Sequence, residues 1–121
     1  MNDEQAAAFL TEYFNMLFIH RDLDRLDEYL HTDYWDDDIG DPDVDHIENG
    51  KQYLLKLFER KPNVGVKVTR AVIMDNVITA YLEWYDDFQT PESLWLKGIG
   101  LFEMDCGKIV KRHTYIYQKN E

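Results

Sequence analysis

The chain has 121 residues, of which 45% are hydrophobic, and carries a formal net charge of −11 at pH 7. This length and apolar content predict one domain over residues 1–121 with a core of its own, and they exclude a disordered tail. The negative charge argues against binding to nucleic acid or to a membrane surface, because phosphate backbones and anionic lipids carry the same sign.

Hydrophobic residues spaced three and four positions apart predict three helices in the first half of the chain. Asn2 or the next residue is the expected N-cap of the first helix. Asp22 caps a short second helix that ends near residues 31–32. Asn49 caps a third helix, with a glutamine three residues later as in a capping box, and this helix stops before Pro62.

After Pro62 the hydrophobic period changes to two, which predicts strands. Four strands are expected, over residues 64–72, 78–85, 94–104 and 109–117. Asp75-Asn76 and residues 105–108 are expected turns, and a loop over residues 86–92 joins the middle two strands. Helices followed by an antiparallel meander make an α+β domain.

One face of the last strands is too apolar to remain wholly in water. It carries Trp95, Ile99, Tyr115 and Tyr117, while the opposite face is expected to pack on the helices. An exposed apolar surface of this kind is typical of a subunit interface. The sequence therefore predicts a homodimer.

Cysteine usage and the first residues predict a reducing, cytoplasmic setting. Cys106 is the only cysteine, so the chain cannot form an internal disulfide. Residues 1–4 are acidic and lack the basic-then-apolar order of a signal peptide. No apolar run approaches the roughly 18 residues that cross a bilayer.

Four segments together resemble a known family. They are residues 21–24 (RDLD), residues 31–38 (HTDYWDDD), Gly50 at the opening of the third helix, and residues 105–110 (DCGKIV). Their order after a long first helix resembles the nuclear-transport-factor-2-like superfamily, especially its SnoaL-like and ketosteroid-isomerase-like members. The resemblance implies a cone-shaped α+β barrel, with three N-terminal helices packed in a curved antiparallel sheet around a pocket. Members include isomerases, cyclases, dehydratases, binders of small apolar molecules and dimerisation domains, so the fold is implied more strongly than the function.

The resemblance to ketosteroid isomerases extends to one catalytic residue. Their pocket aspartate after the second helix abstracts a proton, and Asp38 matches it. The two oxyanion donors would fall at Phe14 and Gly100, whose side chains cannot donate a hydrogen bond. Tyr13 adjoins Phe14 but points about 100° away around the helix. Steroid isomerisation by that mechanism is therefore not expected.

The resemblance to SnoaL-like cyclases also lacks its catalytic groups. Those enzymes use an aspartate on the last strand, two residues after a histidine. The matching positions here are Thr114 and Arg112, and neither side chain is a general base at neutral pH. His113 lies between them on the opposite face of the strand.

A candidate site nevertheless remains around Asp36 and Asp38. If this segment is extended, both carboxylates share a face with Tyr34, and on an apolar pocket one carboxyl becomes an acid or a base. Arg112 is expected to pair with one of them or to bind an anionic group. The alternative is a solvated acidic loop beside an arginine that reaches the rim. The other expected lining residues are Phe14, Leu82, Trp84, Leu96, Phe102 and Thr114; apolar residues at this spacing are also typical of plain core.

No metal or cofactor site is expected. Asp41, Asp43 and Asp45 have the spacing of a calcium loop, but that loop needs glycine at its sixth position and glutamate at its twelfth. The chain has His46 and Gln52 there, so the aspartates are interpreted as a solvated charge run.

Three functions remain open. The first is binding of a small, largely apolar molecule without chemistry, or service as a dimeric accessory domain. The second is a cofactor-free isomerase, cyclase or dehydratase with Asp38 as base, assisted by Asp36, Tyr34 or Arg112. The third is recognition of a basic partner protein through the acidic segment 33–48.

Overall fold

The computed structural model describes residues 1–120, and within them two α-helices and five strands form the fold. In chain order these are α1 (Asp3–Asn15), β1 (Leu30–Asp36), α2 (His46–Arg60), β2 (Gly65–Met74), β3 (Val77–Tyr85), β4 (Leu94–Asp105) and β5 (Lys108–Lys119). A π-helical turn over Met16–His20 extends α1, and short 3-10 helices cover Leu23–Glu28 and Pro91–Ser93. The α+β class is confirmed: the helices pack against a curved, unclosed sheet. No helix of residues 1–120 is long and apolar enough to cross a membrane.

The N-terminus of α1 is a reciprocal capping box. The side chain of Asn2 accepts a hydrogen bond from the backbone N–H of Gln5 at 2.8 Å, and the Gln5 side chain accepts one from the N–H of Asn2 at 2.9 Å. These bonds satisfy donors that the first turn of a helix leaves without partners. The predicted cap at Asn2 is therefore confirmed.

The prediction that Asn49 caps the third helix is wrong, because α2 begins three residues earlier. Asp45 is the N-cap, and its carboxylate accepts hydrogen bonds from the N–H groups of Ile47 and Glu48 at 3.0 and 3.1 Å. A carboxylate both bonds these donors and complements the helix dipole. Asn49 lies inside α2, with its N–H donating to the carbonyl of Asp45.

The second predicted helix is much shorter than expected. The 3-10 helix over Leu23–Glu28 ends before Leu30, where β1 begins, so residues 31–32 are in a strand. The N–H of Ile109 donates to the carbonyl of Tyr29 at 2.8 Å and draws the chain onto β5. This backbone bond to a distant strand overrides the local helical spacing.

The sheet has the strand order β1-β5-β4-β3-β2. The four strands predicted after Pro62 pair antiparallel, and the added strand β1 pairs parallel to β5. Register shifts occur between Val68 and Arg70 on β2 and between Glu103 and Met104 on β4. Such irregularities bend strands and increase their twist, which favours a curved sheet.

The core lies between α1 and the concave face of the sheet. Phe102 is fully buried there, and its ring meets the Phe14 ring edge-on at a centroid distance of 6.1 Å. Gly100 makes room for Phe102, because a Cβ at Gly100 would lie 2.5 Å from that ring. The aromatic ring therefore takes the space that a larger residue at position 100 would need.

The convex face of the sheet is exposed and partly apolar. Tyr81, Leu101, Tyr115 and Tyr117 are exposed on it, with Tyr115 the most accessible at 62%. Trp95, expected on this face, instead packs against the core. Trp84 of β3 pairs with Leu96, and the next residue, Tyr85, pairs with Leu94. Trp95 is therefore the extra residue of a bulge in β4, and the alternation of side chains between the two sheet faces is interrupted there.

Candidate functional site

A cavity of about 370 Å³ lies between the two helices and the concave face of the sheet. Both ends of the chain contribute to its wall, from α1 to β5. Seven of its lining residues are phenylalanine, tyrosine or tryptophan: Tyr13, Phe14, Phe18, Tyr34, Tyr53, Trp84 and Trp95. This volume and lining fall in the range of small-molecule sites in proteins.

The wall formed by α1 is broader than the sequence suggested. Tyr13 and Phe14 both border the cavity, although a single inward position had been expected on this turn. Leu17 and Phe18 continue the wall one turn later, where α1 passes into its π-helical extension. The expectation that Tyr13 points away from the cavity is therefore wrong, since the cavity covers two adjacent positions of the helix.

The polar end of the cavity is built around Arg112. One of its terminal nitrogens lies 2.7 Å from Asp36 Oδ2, and the other lies 3.1 Å from Asp38 Oδ2. The parallel pairing of β1 with β5 places Asp36 directly beside Arg112. The hydroxyl of Tyr34 donates to the same Oδ2 of Asp36 at 3.4 Å. The 2.7 Å contact between Arg112 and Asp36 is charge-assisted, and hydrogen bonds of this kind are among the stronger ones in proteins.

The two carboxylates have different surroundings. Asp36 ends β1 and its side chain is 12% exposed, whereas the Asp38 side chain is 40% exposed. Asp38 lies in the turn after β1, so the shared strand face expected for the pair does not form. The N–H of Asp38 donates to Asp36 Oδ1 at 2.9 Å. Asp36 thus uses both oxygens on protein groups, while Asp38 keeps access to solvent.

His46 is part of this end of the cavity and was missed as a site residue. Its Nδ1 accepts the N–H of Asp36 at 2.8 Å, and its Nε2 lies 2.8 Å from the carbonyl of Asp41. Since a carbonyl only accepts, these partners assign a neutral ring with the proton on Nε2. The ring also stacks on Trp35 at 4.3 Å. In the sequence, the only signal for this role of His46 is its position directly after Asp45, the residue that caps α2.

Burial keeps the tyrosine hydroxyls of the site protonated. Desolvation, with a smaller opposing effect of Arg112, raises the pKa of Tyr13 to about 12. Desolvation also raises the pKa of Tyr34, and its neighbours Tyr13 and Asp36 add to the effect. For Arg112, desolvation lowers the pKa, but Asp36, Tyr34 and Asp38 together raise it above its usual value. Arg112 is therefore a fixed cation at this end of the cavity.

Nearly all the residues predicted for the site border this one cavity. Those that do so are Phe14, Tyr34, Asp36, Asp38, Leu82, Trp84, Leu96, Arg112 and Thr114. Phe102 does not, because its ring is buried behind Phe14. The wall contributed by α2 was not predicted and includes Ile47, Gly50, Tyr53, Leu54 and Leu57. Their three- and four-residue spacing was a signal that the cavity could continue along this helix.

The aspartates of the calcium-like spacing have local structural contacts. Asp45 caps α2, and Asp41 Oδ1 accepts the N–H of Asp43 at 2.9 Å. Among residues 1–120, no three or more histidine, cysteine or acidic side chains are grouped so that they could hold a metal ion.

The helices, the curved open sheet and the cavity between them define a cone-like α+β protein. A family model described as SnoaL-like domain matches residues 10–112, and the chain belongs to this family. The resemblance expected from the sequence is therefore confirmed, and the fold agrees with the nuclear-transport-factor-2-like superfamily.

Solved structures with the same fold have little sequence identity to this chain. TsrD from Streptomyces laurentii is 16% identical, with a TM-score of 0.71 over 97% of this chain and 92% of its own. A SnoaL-like polyketide cyclase from Agrobacterium tumefaciens is 14% identical, with a TM-score of 0.70 over 91% and 89% of the two chains. An LEH-like epoxide hydrolase from M. tuberculosis is 19% identical, with a TM-score of 0.61 over 94% and 84%. No curated protein matches the sequence.

Proposed function

We propose that the cavity binds a small, largely apolar and uncharged molecule that carries a carbonyl or hydroxyl group. The observation that carries this proposal is the arrangement of the cavity, with an aromatic wall and with Arg112, Asp36 and Asp38 gathered at one end. An apolar body enters the aromatic part, and its oxygen meets the polar end. Small-molecule sites combine these two features, since the apolar wall supplies affinity and the few polar groups fix orientation.

The charge at the polar end favours a neutral ligand over an acid. Two carboxylates face one guanidinium, which leaves one net negative charge at Asp36, Asp38 and Arg112. The hydroxyls of Tyr13 and Tyr34 add no charge at neutral pH, and the Tyr34 hydroxyl already donates its proton to Asp36. A carboxylate entering this site would meet like charge in a poorly hydrated space, which costs binding free energy.

The test compares two probes of nearly equal shape. 2-Acetylnaphthalene is neutral, and 2-naphthoate carries a carboxylate at the same ring position. At 100 times its dissociation constant the ketone should stabilise the protein by about 2.7 kcal/mol, visible as a rise in Tm of several degrees. Trp84→Ala should weaken this rise, while Met74→Ala, which removes an exposed apolar side chain outside the cavity, should not. Equal binding of the two probes, or no effect of Trp84→Ala, contradicts the proposal.

A second candidate is a cofactor-free enzyme of the isomerase, cyclase or dehydratase type. Asp38 supports it, because its carboxylate borders the cavity, is 40% exposed and makes its closest charged contact through only one oxygen. In this reaction Asp38 takes a proton from the carbon beside a carbonyl, and Arg112 stabilises the oxyanion that forms. The names of two structural neighbours, a polyketide cyclase and an epoxide hydrolase, support an active enzyme as a candidate.

Proton exchange tests this candidate without knowledge of the substrate. The protein is incubated with 2-tetralone in D₂O, and loss of the proton signal beside the carbonyl is followed by NMR. An enzyme should accelerate exchange, and Asp38→Asn should lower the rate at least 10²-fold. Asp37→Asn is the matched control, since Asp37 contacts Trp35 and Lys111 instead of Arg112. Unchanged exchange in Asp38→Asn excludes this residue as the base.

We also propose that the convex face of the sheet joins two copies of the chain. Leu101 and Tyr115 are exposed near its centre. The same face carries two pairs of opposite charge, Glu83 with Lys97 and Glu103 with Lys111. Both signs of charge make this face complementary to itself, in contrast to the chain's net charge of −11. Sedimentation should show a dimer that Leu101→Glu dissociates and Leu55→Glu, at an exposed position of α2, does not. A monomeric wild-type protein at micromolar concentration contradicts the proposal.

A further inference from the structure

Gly50 lies inside α2, one turn after its first residue, where a glycine is unfavourable. The helix runs over His46–Arg60, and a helix-interior glycine destabilises the helix relative to alanine because it has more backbone freedom to lose. The sequence resemblance placed Gly50 at the opening of this helix, but the helix starts four residues earlier. The glycine at position 50 is therefore not explained by a role at the start of the helix.

The surroundings of Gly50 differ from those of the buried glycines in the sheet. A Cβ at Gly98 would lie 2.7 Å from the carbonyl oxygen of Tyr115, and a Cβ at Gly100 would lie 2.5 Å from the Phe102 ring. At Gly50 a Cβ would meet no atom within 4 Å. The protein itself thus leaves room for a side chain at this position, and Gly50 lines the cavity.

The neighbours of Gly50 on α2 turn this space into a notch. One turn earlier His46 and Ile47 border the cavity, and one turn later Tyr53 and Leu54 do so. All four are large side chains, so the wall recedes only at Gly50. Because His46 also holds the backbone of Asp36, the notch lies one helical turn from the polar end of the cavity.

We infer that Gly50 is a specificity-determining residue that admits a ring against the backbone of α2. The inference rests on the proposed binding function and narrows its ligand class to neutral molecules with a flat ring close to their carbonyl or hydroxyl group. A linear chain is thinner than a ring and does not need the notch. A larger side chain at position 50 should therefore weaken the binding of a ring more than the binding of a linear chain.

The experiment uses 6-propionyl-2-(dimethylamino)naphthalene, a neutral fluorescent ketone with fused rings, and 1-decanol, a neutral chain with a hydroxyl group. Gly50→Leu should lower affinity for the fluorescent probe at least tenfold and change the affinity for decanol, measured by calorimetry, by less than threefold. Asn49→Leu places the same side chain at the adjacent exposed position and should change neither affinity. Gly50→Ala should raise Tm by about 3 °C, because it gains helix propensity without a steric clash.

The outcomes separate this inference from the proposed function. Retained affinity of Gly50→Leu for the fluorescent probe overturns the inference while the cavity remains a binding site. Equal loss of both probes also overturns it, because the leucine then blocks the whole cavity. A lower Tm for Gly50→Ala means that the notch is already filled by protein atoms. If wild-type protein binds neither probe, the proposed function and this inference both fail.

Discussion

Replacing Arg112 by methionine should test whether the polar end of the cavity is held by one cation. The substitution keeps much of the side-chain volume but removes the contacts to Asp36 at 2.7 Å and to Asp38 at 3.1 Å. Asp36 would then keep only the Tyr34 hydroxyl and the N–H of Asp38 as partners. Its carboxylate would remain in a site that is mostly closed to water.

The expected cost follows from the burial of this pair. Removing one partner of a buried ion pair destabilises a protein by about 3–5 kcal/mol. The Arg112 side chain is 26% exposed, so solvent screening reduces the expectation to about 2–3 kcal/mol in the free energy of unfolding. For a chain of 121 residues this corresponds to a fall in Tm of roughly 8–12 °C.

Denaturant unfolding of a double-mutant cycle provides the measurement. Arg112→Met, Asp36→Asn and the double variant are compared at pH 7, and the double variant should be at least as stable as Arg112→Met because the buried charge of Asp36 is removed. Lys111→Met is the control at the neighbouring position. The Lys111 side chain is half exposed, and its ammonium group lies 3.9 Å from the Asp37 carboxylate. A loss below about 1 kcal/mol in Arg112→Met, or additive single variants, would refute the assigned role of Arg112.

Three further predictions concern single side chains. Burial raises the pKa of Tyr13 to about 12 in the folded protein. The contribution of this residue to the free energy of unfolding should therefore be fully present below pH 10 and fall by up to about 2–3 kcal/mol as pH rises from 10 to 12. Urea unfolding of Tyr13→Phe should show a smaller fall across this pH range. Asp45→Ala should cost about 1 kcal/mol through loss of the cap of α2, whereas Asn49→Ala should cost nothing; equal costs would contradict the assigned cap. Gly100→Ala should lower Tm by several degrees because its Cβ meets Phe102, and an unchanged Tm would show that the ring moves freely.

The sequence predicted the strands of the second half well because their hydrophobic pattern is local. Alternating residues from Gly65 to Lys119 matched the four antiparallel strands, and Asp75-Asn76 marked their first turn. β1 was not recognised as part of the sheet, since its position depends on parallel pairing with β5, about 76 residues away at Asp36 and Arg112. A contact at that distance leaves no periodic signal in the strand itself.

The candidate site was predicted in its chemistry and only partly in its geometry. Arg112 was expected to pair with one of the two aspartates or to bind an anionic group, and in the structure it contacts both aspartates. His46 and Tyr13 were missed for different reasons. His46 acts through hydrogen bonds to backbone groups, which no side-chain pattern records, and Tyr13 borders a cavity that is wider than one position of a helix. Trp95 was placed on the wrong face because a bulge shifts the alternation by one residue.

Asp36 and Asp38 show most clearly what three-dimensional context adds to residue type. Both are aspartates two positions apart, and the sequence interpretation made Asp38 the base and Asp36 an assisting group on a shared strand face. The end of β1 at Asp36 separates them: Asp36 is fixed by Arg112, Tyr34 and a backbone N–H, while Asp38 lies in the following turn with more access to solvent. Proton transfer needs a carboxylate that can exchange partners. The acid–base step proposed above is therefore assigned to Asp38, and the ion pair between Asp36 and Arg112 holds the cation beside it.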